Sequence, residues 1–387
     1  MDVMRFGDLV LTPTQQILCT DHIDDISTVT RNAVCSTNLF AKVSTGDSVC
    51  IGVPSRGISC LNEVVLTVVD DLIKIGAHPF IVPAMGSHGG GTAEGQRQVL
   101  TALETELQKF DVSIQSDIHA EQVGGIQLNG KTVPIYWDRF AAQADHILVS
   151  NRVKSHTAFS GPVESGLTKI LTLGLGKPAG AKAIHQAGVK ETIQPAVDWL
   201  IEHFPILGGI AIVENGLHEP MLIEAVRGED IAKREPELLE IARTTIPGIP
   251  YDELDVLIVG AMGKDISGTG MDTNVIGKYR RNWGEPFPNF KRIVVLDLTD
   301  ASHGNATGVG FADIITQQLF DKIDMDATRL NCLTAGNFNG AKIPIIAKDA
   351  DQAIEWALQG FGENPRVVYV NSTLDLETIW VSDALLK

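Results

Sequence analysis

Residues 47–92 read DSVCIGVPSRGISCLNEVVLTVVDDLIKIGAHPFIVPAMGSHGGGT. DSVCIGVP and HPFIVPAMG are short runs rich in β-branched residues and punctuated by proline and glycine, the signature of strands. Between them, Leu61 to Gly76 carries a helical pattern that stops at a glycine. Both strand-like runs are apolar without strict alternation, so both faces are expected to be covered, as in a parallel sheet. Further runs of the same kind follow: DHILVSNRV, ILGGIAIVEN, DVLIVGAMG, RIVVLDLT, KIPIIAKD and VVYVNST, with helical patterns at 92–108, 189–204 and 229–243. This repetition predicts an α/β fold, in two domains with largely parallel sheets flanked by helices. TTIPGIPYDE, at 244–253, sets two prolines and a glycine between a charged helix and a new strand. It divides the chain into an N-terminal α/β domain, 1–248, and a C-terminal α/β domain, 249–387, with the active site expected in a cleft that the second domain closes.

Composition narrows the function. With 31 basic against 48 acidic residues the net charge is -17, which argues against nucleic acid, because phosphate binding requires a basic surface. Anionic membranes are equally poor partners. A small anion remains compatible if a few cations are focused at one site. The five cysteines, Cys19, Cys35, Cys50, Cys60 and Cys332, are scattered and never spaced Cys-x-x-Cys, as expected of reduced thiols in a cytoplasmic protein. MDVMRFGDLVL has no basic lead before a long apolar run, so no signal peptide is expected.

In open α/β sheets, ligand sites gather at the carboxyl ends of strands, and four post-strand segments here carry reactive groups. Gly86-Ser87-His88-Gly89-Gly90-Gly91-Thr92 leads into a helix and presents a histidine among glycines. The richest stretch holds Lys154, His156, Ser160-Gly161, Glu164, Lys169, Lys177 and His185. Lys169 lies in LTKILTLGLG, an apolar setting that lowers an amine pKa and favours nucleophilic chemistry. Lys264-Asp265 and Ser302-His303 follow later strands, and Arg56 follows DSVCIGVP, where it could clamp a carboxylate. GLGKPA at 174–179 meets the loose Gly-x-Gly-x-x-Ala pattern of a dinucleotide loop, but the acidic residue at the right distance, Asp198, falls in a helical pattern.

These segments resemble the nickel-pincer lactate racemase family. AMGSHGGGT is similar to that family's Gly-Thr-His segment, and VKSHTAFSG to its second histidine segment. Lys169 falls where the family attaches its cofactor, and His185, 16 residues on, where it binds nickel. Arg56 resembles the substrate-side arginine, and Lys264 in GKDI the Lys-Asp-Ile segment opening the second domain. The resemblance implies a 2-hydroxy acid racemase or epimerase, an isomerase whose covalently held pyridinium mononucleotide grips Ni(II) through two sulfur arms and a carbon. Lys169 and His185 would bind this nickel-pincer nucleotide, His185 as the metal ligand. His88 and His156 would act as general bases, one for each enantiomer, and Arg56 and Lys264 would hold substrate oxygens. Cofactor-building proteins would be transient partners.

The chain departs from the family twice. Gly89-Gly90-Gly91 stands where lactate-racemising relatives have Arg-Pro, and PVESGLT at 162–168 adds residues including Glu164. Losing a cation and gaining a carboxylate near the presumed substrate points away from lactate itself, toward a larger or more polar 2-hydroxy acid. Three competing readings remain open. They are an NAD(P)-dependent 2-hydroxy acid dehydrogenase at GLGKPA, a Schiff-base enzyme at Lys169, and a non-catalytic ligand-binding homologue.

Overall fold

A computed structural model describes residues 3–55, 57–157, 159–277, 287–334 and 336–386. In chain order the strands are β1 (Met4–Phe6), β2 (Leu9–Gln15), β3 (Ser48–Val53), β4 (His78–Pro83) and β5 (Ala120–Leu128). Then come β6 (Lys131–Asp138), β7 (His146–Arg152), β8 (Ile206–Glu214), β9 (Pro220–Arg227) and β10 (Glu253–Met262). The last five are β11 (Asn289–Leu298), β12 (Ile314–Thr316), β13 (Ile345–Ala347), β14 (Val367–Val370) and β15 (Thr378–Val381).

The chain forms two compact units, and one comprises Cys19–His156 with Ser160–Ile246. Its sheet has the order β4-β3-β7-β8-β9, parallel except for β9. Successive residues point to opposite faces of a strand, and both faces are buried. Val49, Ile51, Ile81, Leu148 and Ile210 join one core, while Cys50, Val82, Ile147, Val149 and Ala211 join the other. This is why the sequence runs are continuously apolar. At about 1.5–3 kcal/mol per buried aliphatic side chain, such packing fixes the sheet register.

A two-stranded hairpin, β5–β6, lies outside that sheet, and no strand-like run was evident at 120–138. It exists by close approach to helices. A Cβ on Gly124 would sit 2.2 Å from the Trp199 ring, and one on Gly180 would sit 3.1 Å from Tyr136 O. The fully buried Trp137 donates its ring N–H to Leu171 O at 2.6 Å, which anchors the turn after Lys169.

The other unit comprises the described residues of Met1–Leu18, Thr157–Phe159 and Pro247–Lys387. Its eight-stranded sheet has the order β1-β2-β15-β14-β10-β11-β12-β13, with β14 through β13 parallel and the β1, β2 and β15 pairings antiparallel. The fold is therefore α/β with largely parallel sheets flanked by helices. The observed division falls at 246/247 rather than 248/249, Thr157–Phe159 also joins the second unit, and β2 pairs with β15, Ile379 opposite Thr14, which brings in the described residues up to Leu18. Strand pairing across more than 350 residues leaves no local mark in the sequence. Among the described residues no helix is long and apolar enough to cross a membrane.

Candidate active site

In the five-stranded sheet the chain passes from β3 to β4 on one side and later returns to β7 on the other. The direction of winding thus switches between β3 and β7, and such a switch opens a crevice at the carboxyl ends of the strands. The segments leaving β3, β4 and β7 are those that carry Arg56, His88, His156 and Lys169. Arg56 itself lies outside the described residues.

His88 is exposed in a loop that glycine makes possible. Gly86, Gly89, Gly90 and Gly91 have φ of 59°, 65°, 68° and 65°, the left-handed region. A Cβ on Gly89 would meet Gln96 N at 2.6 Å. Proline is locked near φ −65°, so an Arg-Pro pair cannot follow this backbone at 89–90. The departure from the family is therefore one of loop conformation as well as charge. Ser55 Oγ, just after β3, lies 2.9 Å from His88 Nδ1. Behind the loop, buried Gln96 donates to Gly86 O at 2.7 Å and His88 O at 3.3 Å.

Gln96 leads to a second layer that the sequence did not disclose. Lys177, fully buried at φ 55°, donates to Pro83 O at 2.6 Å and to Gln96 Oε1 at 3.4 Å. It also faces Asp138 Oδ2 at 3.2 Å, as an ion pair off the hydrogen-bond direction. Burial lowers the Lys177 pKa and Asp138 partly restores it. This layer corrects the reading of GLGKPA as a ligand loop. A dinucleotide turn needs a strand before its glycines, but Leu167–Lys169 and Ile170–Gly174 are helical. The glycines are committed to packing, with a Cβ on Gly174 reaching Ala84 O at 2.5 Å.

Lys169 ends a short helical turn, Leu167–Lys169, that passes into a π-helical turn, Ile170–Gly174. π-Helical turns recur at functional sites. Gly209 on β8 admits this segment, since a Cβ there would lie 2.7 Å from Leu167 Cδ2. Asn151 Nδ2 donates to Gly166 O at 2.9 Å, and Gly86 N to Gly174 O at 3.0 Å. The second bond joins the Lys169 turn to the His88 loop. Lys169 is half-buried, and desolvation, aided by the like charge of Lys154, lowers its pKa to about 8.

His156 follows β7. Its backbone N–H donates to Glu164 Oε2 at 2.6 Å, while Gly161 N donates to Glu164 Oε1 at 3.0 Å and Arg243 Nη2 to the same oxygen at 2.7 Å. Glu164 is buried, 3% exposed. The added carboxylate thus organises the His156 segment internally and is withdrawn from any substrate, which revises the inference drawn from the PVESGLT insertion. His185 sits half-buried near the end of the Lys177–Ala187 helix, one turn beyond the buried Ala181.

Lys264 belongs to the other unit, after β10. Its Nζ donates to Gly268 O at 2.6 Å and Asn331 Oδ1 at 2.8 Å, and burial lowers its pKa. His303 is exposed nearby in sequence to Ser302, whose hydroxyl accepts from Lys264 N at 2.8 Å.

No protein-family model matches the sequence, and no curated protein matches it. Among solved structures, the lactate racemase apoprotein from Thermoanaerobacterium thermosaccharolyticum aligns over 96% of this chain and 98% of that one, with a TM-score of 0.58. The fold is that of a lactate racemase apoprotein. At 13% identity the likeness is one of fold, so the chemistry rests on the side chains. Ser55, Gln96, Asp138 and Arg243 were absent from the sequence reading, because each acts through a partner that the fold alone brings near.

Proposed function

We propose that this chain is a racemase or epimerase of a small 2-hydroxy acid that works with a nickel-pincer nucleotide held at Lys169 and His185. The supporting observation is the Gly86–Gly174 hydrogen bond. It fastens the turn of a low-pKa lysine to the loop of an exposed histidine, at a strand-end switch point, in a chain of this fold.

The residues suit such a group. With a pKa lowered to about 8, Lys169 is neutral in roughly a tenth of molecules at pH 7, against well under a thousandth for an ordinary lysine. Only the neutral amine forms a covalent attachment. The imidazole of His185 suits nickel. Among the described residues no three His, Cys, Asp or Glu converge as a metal site, so His185 would hold a metal together with the bound group. When bound, the group supplies a reversible hydride acceptor for the carbon that inverts.

The chain's own residues manage protons and charge. His88 and His156 each move the proton of the substrate hydroxyl oxygen, one for each enantiomer, since imidazole serves as acid or base near neutral pH. Ser55 orients the His88 ring through Nδ1. Arg56 and Lys264 hold the carboxylate and the developing carbonyl oxygen. Lys264 Nζ donates to Gly268 O and Asn331 Oδ1. With glycines after His88, the substrate side lacks the cation that lactate-racemising relatives place there. A larger or more polar 2-hydroxy acid fits better than lactate.

The test is co-expression with proteins that build the pincer nucleotide, then intact mass and nickel on one sample, followed by a 2-hydroxy acid screen. An adduct mapping to Lys169, with nickel lost in His185→Ala, is the expected result. An unmodified chain beside a loaded control enzyme would overturn the proposal. The same low-pKa amine also favours a Schiff-base reading, and borohydride trapping with a carbonyl substrate would then label Lys169 instead.

A further inference from the structure

Glu235 has no part in the chemistry above, yet its carboxyl is buried in the protein, 2% exposed. It comes from the helix Ile231–Thr245 and its Oε2 accepts from Thr168 N at 2.8 Å, one residue before Lys169. Gly166 makes room for it: a Cβ there would lie 2.6 Å from Glu235 Cδ. Glu235 Oε1 and Thr168 Oγ1 are both buried, and neither makes a well-formed hydrogen bond among the described residues, although the Leu167 N–H and the Thr168 hydroxyl lie close enough to favour the carboxylate form. A buried carboxyl with one unmatched oxygen costs stability, and an apolar side chain of similar size would fill the space without that cost. Among the described residues its hydrogen-bonding contacts are with the turn that ends in Lys169.

We infer that Glu235 is a positioning residue for Lys169, holding the Gly166–Lys169 turn so that the amine stays in its desolvated seat. The inference rests on Lys169 being the reactive amine. Burial pushes the Glu235 carboxyl up to about 7, so much of it is protonated near neutral pH. A neutral carboxyl anchors the turn without adding a full negative charge that would raise the Lys169 pKa. Glutamine, with the same shape and acceptor oxygen, is therefore expected to substitute.

The experiment is competitive labelling of the full chain, free of cofactor, with acetic anhydride across pH 6–11. The apparent pKa of Lys169 is read by peptide mass spectrometry in the wild type, Glu235→Gln, Glu235→Leu and Gly166→Ala. In the wild type and Glu235→Gln, Lys169 should titrate at about 8. In Glu235→Leu and Gly166→Ala, the second displacing the carboxyl from its seat, it should move toward the ordinary value near 10. A full return to 10 would lower acetylation of Lys169 at pH 8 by roughly fiftyfold relative to other lysines. A folded Glu235→Leu or Gly166→Ala with an unmoved Lys169 pKa would overturn the inference. So would loss of folding in both beside a wild-type-like Glu235→Gln, which would assign Glu235 to the fold alone. A chain that labels as expected but never takes up the pincer nucleotide would sink the proposed function and leave this inference standing.

Discussion

The two segments that present His88 and His156 are fixed in opposite ways. The His88 loop is built from backbone freedom, with four glycines at positive φ supported by the neutral amide of Gln96. The His156 segment is built from a buried charge, with Glu164 gathering His156 N, Gly161 N and Arg243. A glycine loop is shaped by what its residues lack, and its conformation tolerates few replacements. A carboxylate-centred segment is shaped by one side chain, and its failure is concentrated at that residue. If both histidines serve one reaction, the difference in construction should show in stability and vanish in catalysis.

The largest expected effect tests that equivalence. In cofactor-loaded enzyme, His88→Ala and His156→Ala should each lower turnover by about 10²–10⁴-fold while the cofactor stays bound, as for loss of a general acid–base group. Racemisation followed by chiral chromatography is the measure. Retention of a tenth or more of wild-type activity in either variant would break the pairing of roles.

Next in size is Glu164→Ala. It strips two partly buried N–H groups and half-buried Arg243 of their common acceptor, and should cost about 2–4 kcal/mol. Urea denaturation of the cofactor-free chain gives the value. A loss below 1 kcal/mol would mean that the segment is held by contacts other than the carboxylate.

The smallest effects sharpen the contrast between glycines. Gly89→Ala should cost about 2 kcal/mol or more, since φ is 65° and its Cβ would reach Gln96 N at 2.6 Å. Gly161→Ala should change stability by less than about 1 kcal/mol, because among the described residues its Cβ would meet only Val163 O at 3.5 Å. Equal losses, read by thermal unfolding, would contradict the distinction between the two constructions.

The candidate lysine and histidines stand out in the sequence because reactive side chains placed just after continuous apolar runs leave a local mark. Lys169 was legible for the same reason, since its apolar neighbours in LTKILTLGLG foretell the desolvation that lowers its pKa. Glu164 was visible but misread, because a carboxylate in a loop gives no local sign of pointing inward. GLGKPA met the loose dinucleotide pattern because glycines serve helix packing as readily as a turn.

The sequence by itself determined the α/β class, the buried parallel strands and the places where reactive groups emerge, since hydrophobic period and turn residues are local properties. Only the tertiary structure decided that β2 joins β15, that Lys177 is paired with Asp138 beneath the His88 loop, and that Glu164 meets Arg243. It also decided that Glu235 reaches Thr168. Each of these joins residues tens to hundreds of positions apart. Such contacts depend on how the surfaces of finished elements fit together, and residue type at either end does not specify the partner.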